Sequence, residues 1–319
     1  MRTLVTGGSG FLGRRLIPAL MREGHEVIAL SRSPSSDFVV AGFGATPWRG
    51  DLTLEDLALP NIEAVVNAAA HFRLAGPRAP YFAANVAGVQ RLLSAARAAG
   101  ARRFVQISAA AVAMDDRGSP LAAVDESAPV FPASFSAYIA SKAQGEAAVL
   151  AAAAPNFQTL ALRPPGIWGK GDAFSKALPG LLRGRRFGFI DNGAFPYVTC
   201  HVDNVVEGVL CALRAGVTGR AYFLNDAEAT TFRAFVVDIA RALGLDAARA
   251  PSMAYPFAWA AGGALEAIWR LAGASGDPPI SRTMVRLIGR PFTTSDAAAR
   301  RDLGYSGRMR RAEGLANYV

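Results

Sequence analysis

Cysteine is scarce in this 319-residue chain: Cys200 and Cys211 are the only two, too few for a disulfide framework and without the spacing of metal ligands. That usage predicts reduced thiols and a cytoplasmic setting. Histidine is nearly as rare, and His201 in CHVDN has no second His or Cys at ligand spacing. It reads as a hydrogen-bonded residue ahead of a helix, and no metal is expected. Long apolar runs are also missing. The longest, 253–265, covers about 13 residues before Glu266 and Arg270 interrupt it, against the roughly 20 that span a bilayer. Residues 1–5 enter a strand-like run at once, so no signal peptide is expected.

Lysine is the least expected shortage. Of 34 basic residues only Lys142, Lys170 and Lys176 are lysine, and the formal net charge is +9. A balance this basic suits a nucleic-acid surface. The arginines, however, are scattered in ones and twos, and no zinc, RNA-recognition or basic-zipper pattern accompanies them. No nucleic-acid partner is expected. With 51 % apolar residues the chain can bury a substantial core.

Glycine, by contrast, is placed with purpose. VTGGSGFLGRRL at 5–16 sets Gly7, Gly10 and Gly13 three apart, after an apolar strand-like run and before a helical one. In that context glycines let the backbone turn tightly and approach a ligand, and the open helix end favours a pyrophosphate. Gly7, Gly10, Phe11, Leu12 and Gly13 are therefore candidate dinucleotide contacts. The next strand, HEVIAL, ends in Ser31 and Arg32, where a site for NAD usually places an acid. Arginine suits a 2′-phosphate, with Arg14 or Arg15 able to approach from the first helix, so NADP is expected over NAD. NAD remains open, since the same arginines also suit a solvated surface.

Strand-like and helical runs then alternate, which predicts an α/β fold with a Rossmann-type doubly wound parallel sheet. The strands fall at 2–6, 25–30, 45–48, 63–69, 103–108 and 157–163, with helices at about 80–99 and 138–153. After Arg163 the texture changes to a Pro- and Gly-rich turn. Residues 1–166 are expected to form the dinucleotide-binding domain, with 221–225 returning as an edge strand, and 167–319 mostly a smaller, interleaved substrate lobe.

Within AYIASKAQGE, Tyr138 and Lys142 stand four apart and share a helix face. A tyrosine is a poor base near neutral pH, but an adjacent ammonium and an oxidised nicotinamide stabilise its phenolate. Such a pair can act as general acid or base on a carbinol or carbonyl while hydride moves. The rarity of lysine makes Lys142 at this offset the more telling.

These segments together resemble the extended short-chain dehydrogenases/reductases of the NAD-dependent epimerase/dehydratase superfamily, in the 3β-hydroxysteroid dehydrogenase-like branch. TGGSGFLG, GDL at 50–52, NAAA at 67–70, NVAG at 85–88, YIASK, LRPPGIWGKGD, HVDNVVEG at 201–208 and DAAARRDLGY at 296–305 follow the family's order over nearly the whole chain. The resemblance implies that Asp51 and Leu52 lie near the adenine, Ala68, Ala69 and Ala70 along the cofactor, Pro164 to Ile167 beside the nicotinamide, and Asn85 in a supporting role. It departs at the family's catalytic hydroxyl, where Ala109 stands; Ser108 precedes it, and Ala110 and Ala111 follow. Ser108 either substitutes through a shift of the loop or caps backbone, leaving another hydroxyl or water to bind the substrate oxygen.

The implied activity is interconversion of an alcohol and a ketone. Two alternatives stand beside it. Arg290 in GRPF resembles the arginine that nucleotide-sugar epimerases place on a diphosphate, and a non-catalytic NADP-binding sensor would also carry the glycine turn. The acidic pair of the dehydratases is not matched, because Asp115 and Asp116 lie too far along. The segment 256–269, with two tryptophans and a phenylalanine, suits an apolar, sterol-like or long-chain 3-hydroxy/3-keto substrate. It equally fits a core helix or one lying on a membrane surface, so peripheral membrane contact is left open, as is a homodimer. Trp48 and Trp168 are expected to be packing residues.

Overall fold

A computed structural model of the chain describes residues 1–54, 57–274 and 276–318. Seven strands form one parallel sheet: β1 (Arg2–Thr6), β2 (Glu26–Ser31), β3 (Thr46–Arg49), β4 (Ala64–Asn67), β5 (Arg103–Ile107), β6 (Gln158–Arg163) and β7 (Arg220–Phe223). Their order across the sheet is β3-β2-β1-β4-β5-β6-β7. The chain therefore reverses direction of winding between β1 and β4, which opens a crevice beyond their carboxyl ends. The strand at 220–223 does return to the sheet, pairing in parallel with β6 from Arg220 opposite Leu160 to Phe223 opposite Arg163.

The central strands are buried on both faces, as near-continuous apolar runs such as AVVN require. Alternate residues go to opposite layers. Val5, Val66 and Val105 pack under α1 (Gly13–Arg22), near Val40 of α2 (Pro34–Gly42), and under a later helix at Val202–Arg214. Leu4, Val65 and Phe104 pack under α3 and α4 (Ala137–Ala151). Helix α3 runs through Arg78–Phe82, one π turn at Ala83–Ala87 and Gly88–Ala98.

The remaining chain supplies α5 (Ala173–Arg183), α6 (Val202–Arg214), which lies on the sheet beside α1, and α7 (Phe232–Ala242), α8 (Tyr255–Leu271) and α9 (Arg282–Ile288). A four-stranded sheet joins Thr230–Thr231, Pro196–Tyr197, Phe292–Thr294 and Leu121–Val124, so the lobe borrows one strand from the N-terminal half. Trp168 is buried edge-on to His201 and Phe235, as a packing residue. Trp48 departs from that expectation: on the edge strand β3 it stays about a third exposed and donates its indole N–H to the Ala58 carbonyl. An edge strand has no second neighbour to cover it.

Candidate active site

The glycine turn joins β1 to α1. Gly7 has φ of +69°, and a Cβ there would sit 2.8 Å from the backbone of Ala68 and Ala69, so the turn lies directly on the end of β4. At Gly13 a Cβ would fall 2.4 Å from the carbonyl oxygens of Gly7 and Gly8, which makes glycine the residue that lets the helix start so close to the strand. The Gly10 N–H donates to Gly7, and Arg14 and Leu16 reach back to Gly10 and Leu12. The N–H groups of Phe11, Leu12 and Gly13 have no partner among the described residues, at the positive end of α1. Donors left open on such a turn fit a pyrophosphate, and the residues present therefore fit a dinucleotide.

Around this turn the other expected contacts gather. Ala69 donates its N–H to Thr6 Oγ1, fixing Ala68, Ala69 and Ala70 along the mouth of the sheet. Leu52 buries its side chain under α3 and gives its carbonyl to Arg91, which leaves its N–H side for any ligand. Burial works to raise the Asp51 carboxyl, but the N–H and hydroxyl of Thr53, with Arg32 nearby, outweigh it and hold the acid below its usual range. Arg32 is exposed at the end of β2 and makes no ion pair among the described residues. The other two arginines are committed elsewhere: Arg14 donates to the Ser9 carbonyl at 2.9 Å, and Arg15 faces Asp203 at 4.0 Å. Pro164 receives the Ala110 N–H, bringing the Pro164 to Ile167 segment against the end of β5.

Helix α4 starts at the Ser136 N-cap, whose hydroxyl accepts the Ile139 N–H, and this sets the phase that turns Tyr138 and Lys142 toward the crevice. Lys142 is 5 % exposed and donates to the Ile107 carbonyl at 2.6 Å. Burial lowers its ammonium to about 8, with Glu146 one turn on opposing the shift. Tyr138 stands edge-on to Phe72, ring centroids 4.7 Å apart, and its hydroxyl makes no hydrogen bond among the described residues. Burial raises the Tyr138 phenol to about 12.

Ser108 lies at the end of β5, 4 % exposed, and its hydroxyl has no partner among the described residues. It caps no backbone, so one of the two readings of this residue drops away. Ala109 is buried in the lobe's apolar cluster. Asn85 sits in the π turn of α3, accepts the His71 N–H and donates to the His71 carbonyl and to Ser141 Oγ. It thus ties α3 to α4 between Tyr138 and Lys142.

Beside Tyr138 a cavity of about 540 Å³ opens toward α8, walled by Leu74, Phe135, Trp269 and Pro278 with Arg270 and Arg282 among them. His201 accepts the Asp203 N–H as the N-cap of α6, in the role expected of it. Arg290 is not free for a diphosphate: it pairs with Asp191 at 3.2 Å and stacks 3.9 Å over the Tyr255 ring. Asp115 is likewise engaged, by Ser119 and by the buried Arg286.

Sequence reasoning missed two supports of this site. Gly145 lets α4 lie on α3, since a Cβ there would meet the Asn85 carbonyl at 2.0 Å. Glu146 holds Arg163 in a buried two-point pair at 2.6 and 2.9 Å. A glycine in a helix interior and an acid four residues after the rare lysine were the signals available.

Comparison with known proteins agrees with this geometry. The model of the "NAD dependent epimerase/dehydratase family" matches residues 3–224. The chain is 40 % identical to a "4-hydroxy-2-methyl-3-oxo-4-farnesyl-3,4-dihydroquinoline-1-oxide ketoreductase" of Stigmatella aurantiaca, over 99 % of this chain and 95 % of that one. It is 33 % identical to a "3 beta-hydroxysteroid dehydrogenase/Delta 5-->4-isomerase" of Mycobacterium tuberculosis, over 76 % of this chain and 70 % of the other. Among solved structures, that of gox2253 superposes with a TM-score of 0.79 at 25 % identity, covering 99 % of this chain and 96 % of that one.

Proposed function

For a chain that belongs to the NAD dependent epimerase/dehydratase family, we propose that Tyr138, Lys142 and Ser108 carry the proton chemistry of an alcohol–ketone oxidoreductase working on an apolar substrate. The protein is an NAD(P)-dependent oxidoreductase of this class, in the 3β-hydroxysteroid dehydrogenase-like branch. The observation that carries the assignment of residues is the juxtaposition of Tyr138, with its hydroxyl unbonded among the described residues, and a 540 Å³ cavity that it lines.

When bound, the nicotinamide cofactor supplies or accepts the hydride. Gly7, Gly10, Phe11, Leu12 and Gly13 hold its pyrophosphate, Asp51 and Leu52 flank the adenine, Ala68 to Ala70 line its path, and Pro164 to Ile167 back the nicotinamide. Arg32 takes the 2′-phosphate, which makes NADP the preferred form. Residues 1–166, with the strand at 220–223, serve as the dinucleotide half, and most of 167–319 as the substrate lobe.

In the direction of reduction, Tyr138 starts as the neutral phenol and donates its proton to the developing alkoxide. A phenol held near 12 is protonated at neutral pH, so it is ready as an acid rather than as a base. Lys142 stabilises the phenolate left behind, and Ser108 supplies a second donor to the same oxygen. Asn85 is a positioning residue that holds α4 in place. The ketoreductase and the hydroxysteroid dehydrogenase that this chain resembles are named for a farnesyl-bearing quinoline and for a hydroxysteroid, which supports a large apolar ketone for the cavity beside Tyr138. The epimerase reading is weakened by the engagement of Arg290 with Asp191 and Tyr255.

The test is oxidation of NADPH by the purified protein with a panel of long-chain and polycyclic ketones. Turnover that disappears in Tyr138→Phe, with NADPH binding retained, supports the reading. Turnover unchanged in that variant removes Tyr138 from the mechanism, and no turnover across the panel favours the sensor.

A further inference from the structure

Helix α8 keeps two very different faces. Its inner side packs on α9, where Glu266 binds the N–H and guanidinium of Arg282 and Gly262 lies against the backbone of Ser281 and Arg282. Tyr255, Ala258 and Trp259 join Val285 and Ile190 beneath it. Its outer side is apolar throughout. Phe257 is 71 % exposed, Ile268 54 % and Leu271 88 %, and at 100° per residue they fall on one stripe with Ala260, Ala261 and Ala264 between them. Both charged side chains of the helix, Glu266 and Arg270, lie on the opposite side. The stripe is about 21 Å long, from residue 257 to residue 271 at the helical rise.

Singly exposed apolar side chains need no explanation, but a whole apolar helix face does. Its surroundings point to an occupant. Arg185, Arg186 and Arg249 precede the two short strands, Phe189–Ile190 and Ser252–Met253, that pair at the N-terminal end of α8. Arg270 stands at its C-terminal end. None of these four makes an ion pair among the described residues, and the acid at the start of α8, Asp191, is paired with Arg290. Met253, 46 % exposed, extends the apolar surface at the same end. Apolar residues flanked by unpaired cations match the boundary of an anionic bilayer, where chains take up the first and headgroups the second.

We propose that α8 is a monotopic membrane contact that lays its Phe257–Ile268–Leu271 stripe into the surface of an anionic lipid bilayer. Trp269, Arg270 and Gly273, at the C-terminal end of α8 but on the side away from the stripe, line the cavity beside Tyr138, so the cavity opens at the end of the helix that would rest on the lipid. An apolar ketone dissolved in the bilayer reaches Tyr138 along the end of α8 without crossing water. This route rests on the oxidoreductase reading above, whereas the contact itself does not.

Flotation with vesicles of equal parts phosphatidylglycerol and phosphatidylcholine tests it, using the full chain. The wild type is expected to float with these vesicles, far less with phosphatidylcholine alone, and less at roughly 500 mM salt, where exposed charges are screened. Ile268→Glu/Leu271→Glu, whose side chains touch neither the cavity nor the cofactor turn, is expected to float about tenfold less while binding NADPH as before. It should also reduce a bilayer-dissolved ketone more slowly and a short water-soluble one at an unchanged rate. Flotation that is equal for wild type and variant overturns the proposal. So does a dimer in light scattering that the variant converts to monomer, which would assign the stripe to a second copy. Loss of all turnover with normal flotation would instead sink the catalytic reading and leave the contact standing.

Discussion

Lys142 Nζ lies 2.6 Å from the carbonyl oxygen of Ile107, so the ammonium of α4 is fastened to the end of the strand that carries Ser108. Burial has brought that ammonium down to about 8. Its charged form is therefore complete below that pH and is lost as pH rises through it. Reduction of a ketone is expected to decline above about pH 8 as Lys142 loses its proton. Lys142→Arg, which keeps its charge, should shift that decline upward, and Lys142→Met should leave little activity at any pH. A profile with the same decline in Lys142→Arg would assign it to another group.

Ser108 presents a buried hydroxyl with no partner among the described residues, directly before Ala109. A donor of this kind is worth about a hundredfold in rate when it meets the developing oxyanion. Ser108→Ala should lower kcat by about that factor with little change in NADPH affinity. Adding Ala109→Ser should recover part of the loss. Unchanged kcat in Ser108→Ala would hand the role to water.

Asn85 satisfies both backbone groups of His71 and the hydroxyl of Ser141. Asn85→Ala strands these buried groups, at a cost of about 1–3 kcal/mol, measurable by denaturant unfolding. A positioning role predicts more than instability: kcat should fall while KM for NADPH holds, and Asn85→Asp should not restore it, since Ser141 would lose the amide donor. A variant that is only less stable, with kcat intact at low temperature, would reduce Asn85 to a structural residue.

Much of this was legible in the chain. Near-continuous apolar runs gave the strands, because a parallel sheet covered on both faces leaves no polar alternation to confuse the reading. The helices at about 80–99 and 138–153 appear at 78–98 and 137–151. The phase of Tyr138 and Lys142 followed from helix geometry alone. What escaped was tertiary. No local pattern says that Gly145 meets Asn85, 60 residues earlier, or that Arg163 turns back to Glu146. Nor does any local pattern show that the Ile107 carbonyl, on another element, accepts from Lys142. The borrowing of Leu121–Val124 by the lobe's sheet was equally invisible, a pairing made across more than a hundred residues with Phe292–Thr294.

Among the described residues Arg32 is the one of the three candidate arginines without a hydrogen-bond or ion-pair partner, while Arg14 holds Ser9 and Arg15 leans on Asp203. Arg32→Asp should raise KM for NADPH by about one to two orders of magnitude and lower that for NADH, since an acid there binds a ribose hydroxyl and repels a phosphate. Parallel titrations of the two cofactors check this. Equal effects on both would place the 2′-phosphate elsewhere.

The Glu146–Arg163 pair closes the site from below. Both side chains are about 5 % exposed or less, and their two-point bond joins α4 to the end of β6. Glu146→Gln leaves Arg163 buried without its counter-ion and is expected to cost about 3–5 kcal/mol of stability. Replacing both, as Glu146→Leu/Arg163→Met, should cost much less, because no charge is then stranded. The catalytic consequence runs through Lys142. Glu146 raises the pKa of that ammonium against the effect of burial, so either variant lets it fall further below its present value of about 8. The alkaline decline in reduction rate should accordingly move to lower pH in the double variant, even where its stability is close to that of the wild type. A decline that stays in place would mean that Lys142 does not set it.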